Sequence, residues 1–187
     1  DIIKYTKEEK IRNQSEDIIA LMTPIIKSFA SDIGCYSSNL ALQVYGGHGY
    51  IKDHGIEQLV RDARIAPIYE GTNGIQALDL IGRKMQINQG KVIDSFFDLV
   101  TEYLKSIDNN EKLKSNIKQF KQSFEDLIYI RDHIISNNDT KEINGIAVEF
   151  LEMFSYVSLG FIWLKMLNIA YLKNEEDKSN FFSSKIA

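Results

Sequence analysis

Apolar residues return every three or four positions along most of this chain, and nowhere does alternation of period two persist. That spacing predicts an all-α protein without a sheet. Residues 1–14 are polar and charged and read as a linker or a frayed helix start. Ser15 to Met22 is helical, with Ile18, Ile19 and Met22 on one side. Thr23-Pro24 is a cap followed by a proline at a first helical position, which either starts a new helix or kinks a long one. From Ile25 onward, Ile26, Phe29, Ala30, Ile33, Leu40 and Val44 recur at helical spacing and predict one buried face. Gly46-Gly47 stops the helix.

Gly46 to Gly55 is a loop, and Ile56 to Ile65 a short helix. Pro67 has no N–H and restricts Ala66 to extended conformations, so that helix ends near Ile65. Ile68 and Tyr69 suit a short, extended, half-buried segment. Gly71 permits a sharp turn. Thr72 or Asn73 can cap the next helix, with Gln76 in the capping-box position relative to Asn73. Asn73 to Met85 is amphipathic, with Ile75, Leu78 and Ile81 or Gly82 facing one way. Gln89-Gly90 closes it and marks a division into residues 1–89 and 90–187.

The second region carries three long helical patterns. Ile93, Phe96, Phe97, Val100 and Leu104 form one apolar face, broken by Asp108-Asn109-Asn110. Leu113, Ile117, Phe120, Phe124 and Leu127 step by four and three and form another. Ser136-Asn137-Asn138-Asp139 breaks that one. A third helix runs from about Glu142 to Leu172. Its stretch FSYVSLGFIWLKMLNIAYL is nearly all apolar, but a membrane span needs about twenty such residues. Lys165, Asn168, Gly160 and two serines interrupt it, which favours a buried bundle helix over a membrane span.

Composition narrows the field. A 44% apolar content is ordinary for a globular protein. The net charge of −4, with no basic patch, argues against a nucleic-acid surface. Cys35 is the single cysteine, so there is no disulfide framework and no cysteine metal site. The chain opens on Asp1 with no signal peptide. It reads as a fragment of a longer protein.

Few residues are placed for chemistry. Glu70 lies just before a helix N-terminus with apolar residues before it. Burial there would raise its pKa and the helix end would lower it. A carboxylate so tuned is a candidate general base, and equally a surface residue that helps cap the helix. His48, His54 and Asp53 share a loop, but their spacing matches no usual ligand pattern, and no metal is expected. Arg61, Asp62 and Arg64 read as structural ion pairs at a domain or subunit contact, with a phosphate role for either arginine as the alternative.

Q-V-Y-G-G-H-G-Y (43–50), followed by R-D-A-R-I-A-P-I-Y-E-G-T-N-G-I-Q (61–76), resembles the C-terminal signature of the acyl-CoA dehydrogenases. The continuation A-L-D-L-I-G-R-K and the helical residues after it are most similar to the 3-methylmercaptopropionyl-CoA dehydrogenase-like branch. The fold this implies is a partial acyl-CoA dehydrogenase C-terminal helical bundle followed by an extra helical domain, the last residues, KSNFFSSKIA, resembling the start of that domain's final helix. The N-terminal helical domain and the β-domain would lie outside this sequence.

The resemblance implies FAD-dependent oxidation of an acyl-CoA thioester to a 2-enoyl-CoA. A glutamate removes the α-proton while a hydride leaves the β-carbon, and the match carries that role to Glu70. The backbone N–H of Glu70 and a ribityl hydroxyl of FAD would hold the thioester oxygen. Thr72 and Asn73 match FAD-contacting positions. Gln43, Gly46 and Gly47 match positions that reach the FAD of a neighbouring subunit. Tyr69, Glu70 and Gly71 would meet the substrate. Tyr45 stands where many relatives have histidine or phenylalanine. The resemblance also implies a homodimer or homotetramer, an electron-transfer flavoprotein or similar acceptor, and a bacterial cytoplasmic or mitochondrial matrix location. Two other readings stay open. One is a relative that no longer dehydrogenates acyl-CoA, such as the nitroalkane oxidisers that carry an aspartate where Glu70 stands. The other is a helical oligomerisation module without activity of its own.

Overall fold

A computed structural model of the chain describes residues 5–137, 139–176 and 180–186. Among them there are helices and turns and no strand. The α-helices are α1 (Glu9–Tyr45), α2 (Ile56–Arg64), α3 (Asn73–Gly82), α4 (Lys91–Ile107), α5 (Lys114–Ser136), α6 (Thr140–Gly145), α7 (Ala147–Glu176) and α8 (Asn180–Ile186). Short 3₁₀ segments at Gly46–Tyr50, Lys52–His54, Lys84–Gly90 and Glu111–Leu113 join them. The chain forms two compact units. The first holds the residues up to Ile93 together with Asp139–Glu152, and the second holds Asp94–Asn138 and Met153 onward.

In the first unit α1 is one continuous helix with Pro24 inside it. Thr23 does not cap a new helix. Its hydroxyl donates to the Ile19 carbonyl one turn back, 2.7 Å away. The expected apolar face of α1 is not the buried one. Leu21, Pro24, Ile25, Ser28 and Ser31 are buried, whereas Ile26, Ile33, Leu40 and Val44 are exposed, Val44 at 85%. The same shift affects α3, where Ala77, Leu80 and Ile81 are buried while Ile75 and Leu78 are exposed. Each helix buries a mixed face, Leu21, Ile25, Ser28 and Ser31 on α1 and Ala77, Leu80 and Ile81 on α3, while the expected stripes through Ile26 and Ile33 and through Ile75 and Leu78 stay exposed. Helix α3 also stops at Gly82 and passes into the 3₁₀ segment that contains the buried Met85.

In the second unit the sequence periods and the buried faces coincide. Phe96, Phe97, Val100 and Leu104 of α4 are buried, as are Ile117, Phe120, Phe124 and Leu127 of α5. Phe154 and Phe161 of α7 complete an aromatic core. The Phe96–Phe154 and Phe97–Phe124 centroids are each 5.3 Å apart, a spacing typical of favourable aromatic pairs. Gly160 lets α7 lie close to Phe120, since a Cβ there would come within 3.3 Å of that ring. Arg131 lies over the Phe97 ring and pairs with Asp94 at 2.5 Å.

The third long pattern is two helices, not one. Gly145 ends α6, and α7 starts afresh at Ala147. Asp139 caps α6 by accepting from the N–H groups of Lys141 and Glu142. Of the terminal stretch, Asn180–Ile186 is helical, and the remaining three positions lie outside the described residues.

Candidate active site

The turn from Ile65 to Thr72 sets the site. Ile68 and Tyr69 are not extended. Both donate from their N–H groups to the Ile65 carbonyl, which curls the chain into a turn and leaves both side chains about half exposed. Pro67 closes the loop, its carbonyl accepting from the N–H of Asn73 at 3.3 Å. Glu70 follows with φ 54°, among the described residues the one non-glycine with positive φ. Gly71 is left-handed too, with φ 86°. The left-handed region costs an L-residue other than glycine about 1–2 kcal/mol. Such strain gathers at functional sites, where neighbouring structure holds it in place.

Side chains of α1 and α3 hold this turn. Gln76 Nε2 donates to the Glu70 carbonyl at 3.1 Å. Lys27 Nζ, from α1, donates to the Gly71 carbonyl at 2.6 Å and to Asn73 Oδ1 at 2.9 Å. Asn73 Nδ2 donates to Ser31 Oγ at 3.1 Å and to the Ser28 carbonyl at 3.3 Å. Ser31 Oγ in turn donates to the Ser28 carbonyl at 3.0 Å. Thr72 is the N-cap of α3, its hydroxyl accepting from the Ile75 N–H at 3.4 Å. Gln76 therefore braces the turn and does not close a capping box.

Glu70 itself is exposed, and among the described residues its carboxylate makes no hydrogen bond or ion pair. It does not cap α3, because Thr72 does. Its backbone is fixed and its side chain is uncommitted.

The second glycine-rich segment lies at the far end of α1. Gly46, with φ 58°, caps α1 by donating to the Gln43 carbonyl. Nothing lies within 4 Å of where a Cβ of Gly46 or Gly47 would stand, so both present bare backbone to the outside. Gly49 is different: a Cβ there would come within 2.7 Å of Tyr45 Cβ and 2.8 Å of the Leu42 carbonyl, so it is a packing glycine. Ser31, beside the Glu70 turn, and Gln43 lie twelve positions apart on one helix. At 1.5 Å per residue that places the two clusters about 18 Å apart along the axis. One small group cannot touch both.

The remaining candidates make contacts within α2 and the glycine-rich loop. Arg61 pairs with Glu57 at 2.8 Å across one turn of α2, and that carboxylate raises its pKa through the hydrogen bond and its charge. His48 and His54 meet edge to face with centroids 5.5 Å apart. Among the described residues no group of three or more His, Cys, Asp or Glu side chains converges on a metal position. Cys35 Sγ donates to the Ala63 carbonyl at 3.2 Å and ties α1 to α2. A cavity of about 560 Å³ lies in the second unit among Phe120, Trp163, Leu164 and Phe181. It is apolar and holds none of the residues named for chemistry.

Lys27 and Ser31 were not singled out from the sequence. The signal was a lone lysine inside the apolar run P-I-I-K-S-F-A, where a charge needs a reason.

Residues 7–86 match the family described as acyl-CoA dehydrogenase, C-terminal domain. Residues 96–187 match the family described as acetyl-CoA dehydrogenase C-terminal like. The chain is 37% identical over 100 residues to the 3-methylmercaptopropionyl-CoA dehydrogenase of Ruegeria pomeroyi, covering 54% of this chain and 17% of that protein. It is 36% identical over 95 residues to the broad-specificity linear acyl-CoA dehydrogenase FadE5 of Mycobacterium tuberculosis, covering 51% of this chain and 16% of that protein. The crystal structure of Caenorhabditis elegans ACDH-11 in complex with C11-CoA shares the fold, with a TM-score of 0.70 at 22% identity over 81% of this chain and 26% of that one. The chain thus spans about a sixth of the length of the two bacterial dehydrogenases and about a quarter of the ACDH-11 chain. Two consecutive family matches, in order, over nearly all of its residues settle the assignment: the chain belongs to the acyl-CoA dehydrogenase family and is a C-terminal region of it.

Proposed function

We propose that this chain supplies the proton-abstracting half of the active site of an FAD-dependent acyl-CoA dehydrogenase, which converts an acyl-CoA thioester to the 2-enoyl-CoA. The single observation that carries this is Glu70: a carboxylate with no partner among the described residues, held in a strained left-handed backbone by bonds to the carbonyls of residues 70 and 71. Proton removal from a carbon next to a thioester demands an aimed base, because the proton is weakly acidic. Glu70 takes that proton. Its backbone N–H donates to the thioester oxygen, where negative charge gathers as the proton leaves. Tyr69 and Gly71 flank the acyl group.

FAD, when bound, supplies the acceptor for the hydride of the β-carbon. The residues present fit it. Gly46 and Gly47 offer unobstructed backbone beside Gln43. Thr72, with Asn73, stands at the start of a ten-residue helix, where N–H groups favour anionic oxygen. The separation of about 18 Å along α1 suits service to two different flavins, one in each of two subunits. Acyl-CoA as substrate, an electron-transfer flavoprotein or similar acceptor as partner, and a bacterial cytoplasmic or mitochondrial matrix setting belong to the same reading, as does the chain being a fragment of the whole enzyme.

The experiment is Glu70→Gln in the full-length protein, mixed anaerobically with acyl-CoA while flavin bleaching is followed. Loss of a general base predicts bleaching slower by ~10²–10⁴-fold with acyl-CoA still bound. Bleaching at the wild-type rate removes Glu70 from the mechanism.

A second reading is favoured by one surface. Ile19, Ile26, Ile33 and Leu40 recur every seven residues on α1, all exposed. A seven-residue apolar stripe is a helix-pairing seam. On this reading the isolated chain is a homo-oligomerising helical module with no activity alone. The two readings are compatible if the seam joins subunits of the whole enzyme.

A further inference from the structure

We propose that Lys27 is a positioning residue for Glu70, and that its ammonium sets the direction of the carboxylate from 43 residues away in the sequence. This rests on Glu70 being the base. Two consecutive left-handed residues have few internal reasons to stay put, since glycine at 71 permits many other conformations. The Asn73 N–H to Pro67 carbonyl bond closes the turn, and the two left-handed peptides inside it are held at their carbonyls. Gln76 holds the first from within α3, at 3.1 Å. Lys27 holds the second from α1, at 2.6 Å.

The lysine is itself oriented. Its second bond goes to Asn73 Oδ1, and Asn73 is fixed by Ser31 Oγ and the Ser28 carbonyl on the same face of α1. Ser28 and Ser31 are both buried, so this end of the network is shielded from water. A part-buried ammonium bonded to two neutral oxygens is stronger than a neutral donor at the same place. It is also anchored in a helix separate from the turn. Asn73 ties the start of α3 to α1, and Lys27 alone among the bracing residues ties the Gly71 carbonyl, inside the left-handed pair, to α1. No carboxylate takes part, so the network is not an ion pair and does not require a partner acid.

The test uses the full-length flavoprotein with Lys27→Met, which keeps length and removes the donor, and Lys27→Arg, which keeps a donor. Lys27→Met should slow flavin reduction by acyl-CoA by ~10–10²-fold while acyl-CoA binding changes far less, because misplacement of a base by about 1 Å costs that much. Lys27→Arg should recover most of the rate. Hydrogen exchange of the segment 68–74 should quicken in Lys27→Met. Quicker exchange with a wild-type reduction rate would overturn the positioning role and leave Lys27 a stability residue. Unchanged exchange would overturn the clasp. A parallel loss of rate and acyl-CoA binding would indicate general disruption and also overturn it. If Lys27→Met does not fold, Lys27→Leu with the same readouts decides. Glu70→Gln run alongside separates the two claims: a wild-type rate there defeats the base assignment, while exchange in Lys27→Met still reports the clasp alone.

Discussion

The ammonium of Lys27 lies 2.6 Å from the carbonyl oxygen of Gly71, 44 residues later in the chain. That bond joins the middle of the longest helix to the most strained turn in the described structure. Everything proposed about Glu70 depends on such long-range bonds, since local sequence alone would let residues 70 and 71 relax.

The strain at Glu70 should be measurable. Relief of the left-handed conformation is worth about 1–2 kcal/mol, and glycine returns about 0.5–1 kcal/mol of that as unfolded-chain entropy. Glu70→Gly should therefore stabilise the chain by up to roughly 1.5 kcal/mol in urea unfolding. A residue kept against stability is what a functional position predicts. Destabilisation instead would mean that the side chain makes a compensating contact.

Asn73→Ala should destabilise the first unit by about 1–3 kcal/mol, because it strips partners from Lys27, from Ser31 and from the Ser28 carbonyl. Urea unfolding of the chain without flavin reads this directly. An effect seen only in flavin retention would place the role of Asn73 at the cofactor instead.

The glycines should divide by position. Gly71→Ala must hold φ 86° and bring a Cβ within 2.9 Å of Gln76 Nε2. It should cost about 1–3 kcal/mol. Gly47→Ala meets open space, and the chain's stability should stay within about 0.5 kcal/mol. In the full-length protein Gly47→Ala should nonetheless weaken flavin retention, read from absorbance after gel filtration. Full retention there would detach Gly47 from the cofactor.

The exposed seam of α1 should drive self-association, because apolar patches of that extent seek partners. Light scattering should show an oligomer for the chain, and Ile26→Lys with Ile33→Lys should convert it to monomer with little change in unfolding. By contrast Phe154→Ala, at a fully buried position of the second unit, should cost about 3–5 kcal/mol. A wild-type oligomer in the double lysine variant would move the seam elsewhere.

The sequence by itself determined the class of fold, the period of the helices at Lys91–Ile107 and Lys114–Ser136, and the segments that carry the family signature. It did so because helical spacing, glycine stops and capping residues act within a few positions of each other. In the second unit it determined the buried faces as well, since Phe97, Phe120, Phe124 and Phe154 find one another inside the chain. In the first unit only the tertiary structure decided which side of α1 and α3 is covered. An amphipathic period announces an apolar face but not what covers it, and here Leu21, Ile25, Ser28 and Ser31 of α1 and Ala77, Leu80 and Ile81 of α3 are buried while Ile26 and Ile75 face out. The same holds for Glu70. Its identity and its neighbours were legible in Y-E-G-T, whereas its left-handed backbone and the lysine that holds it were not, because a hydrogen bond between residues 27 and 71 exists only once two helices have packed.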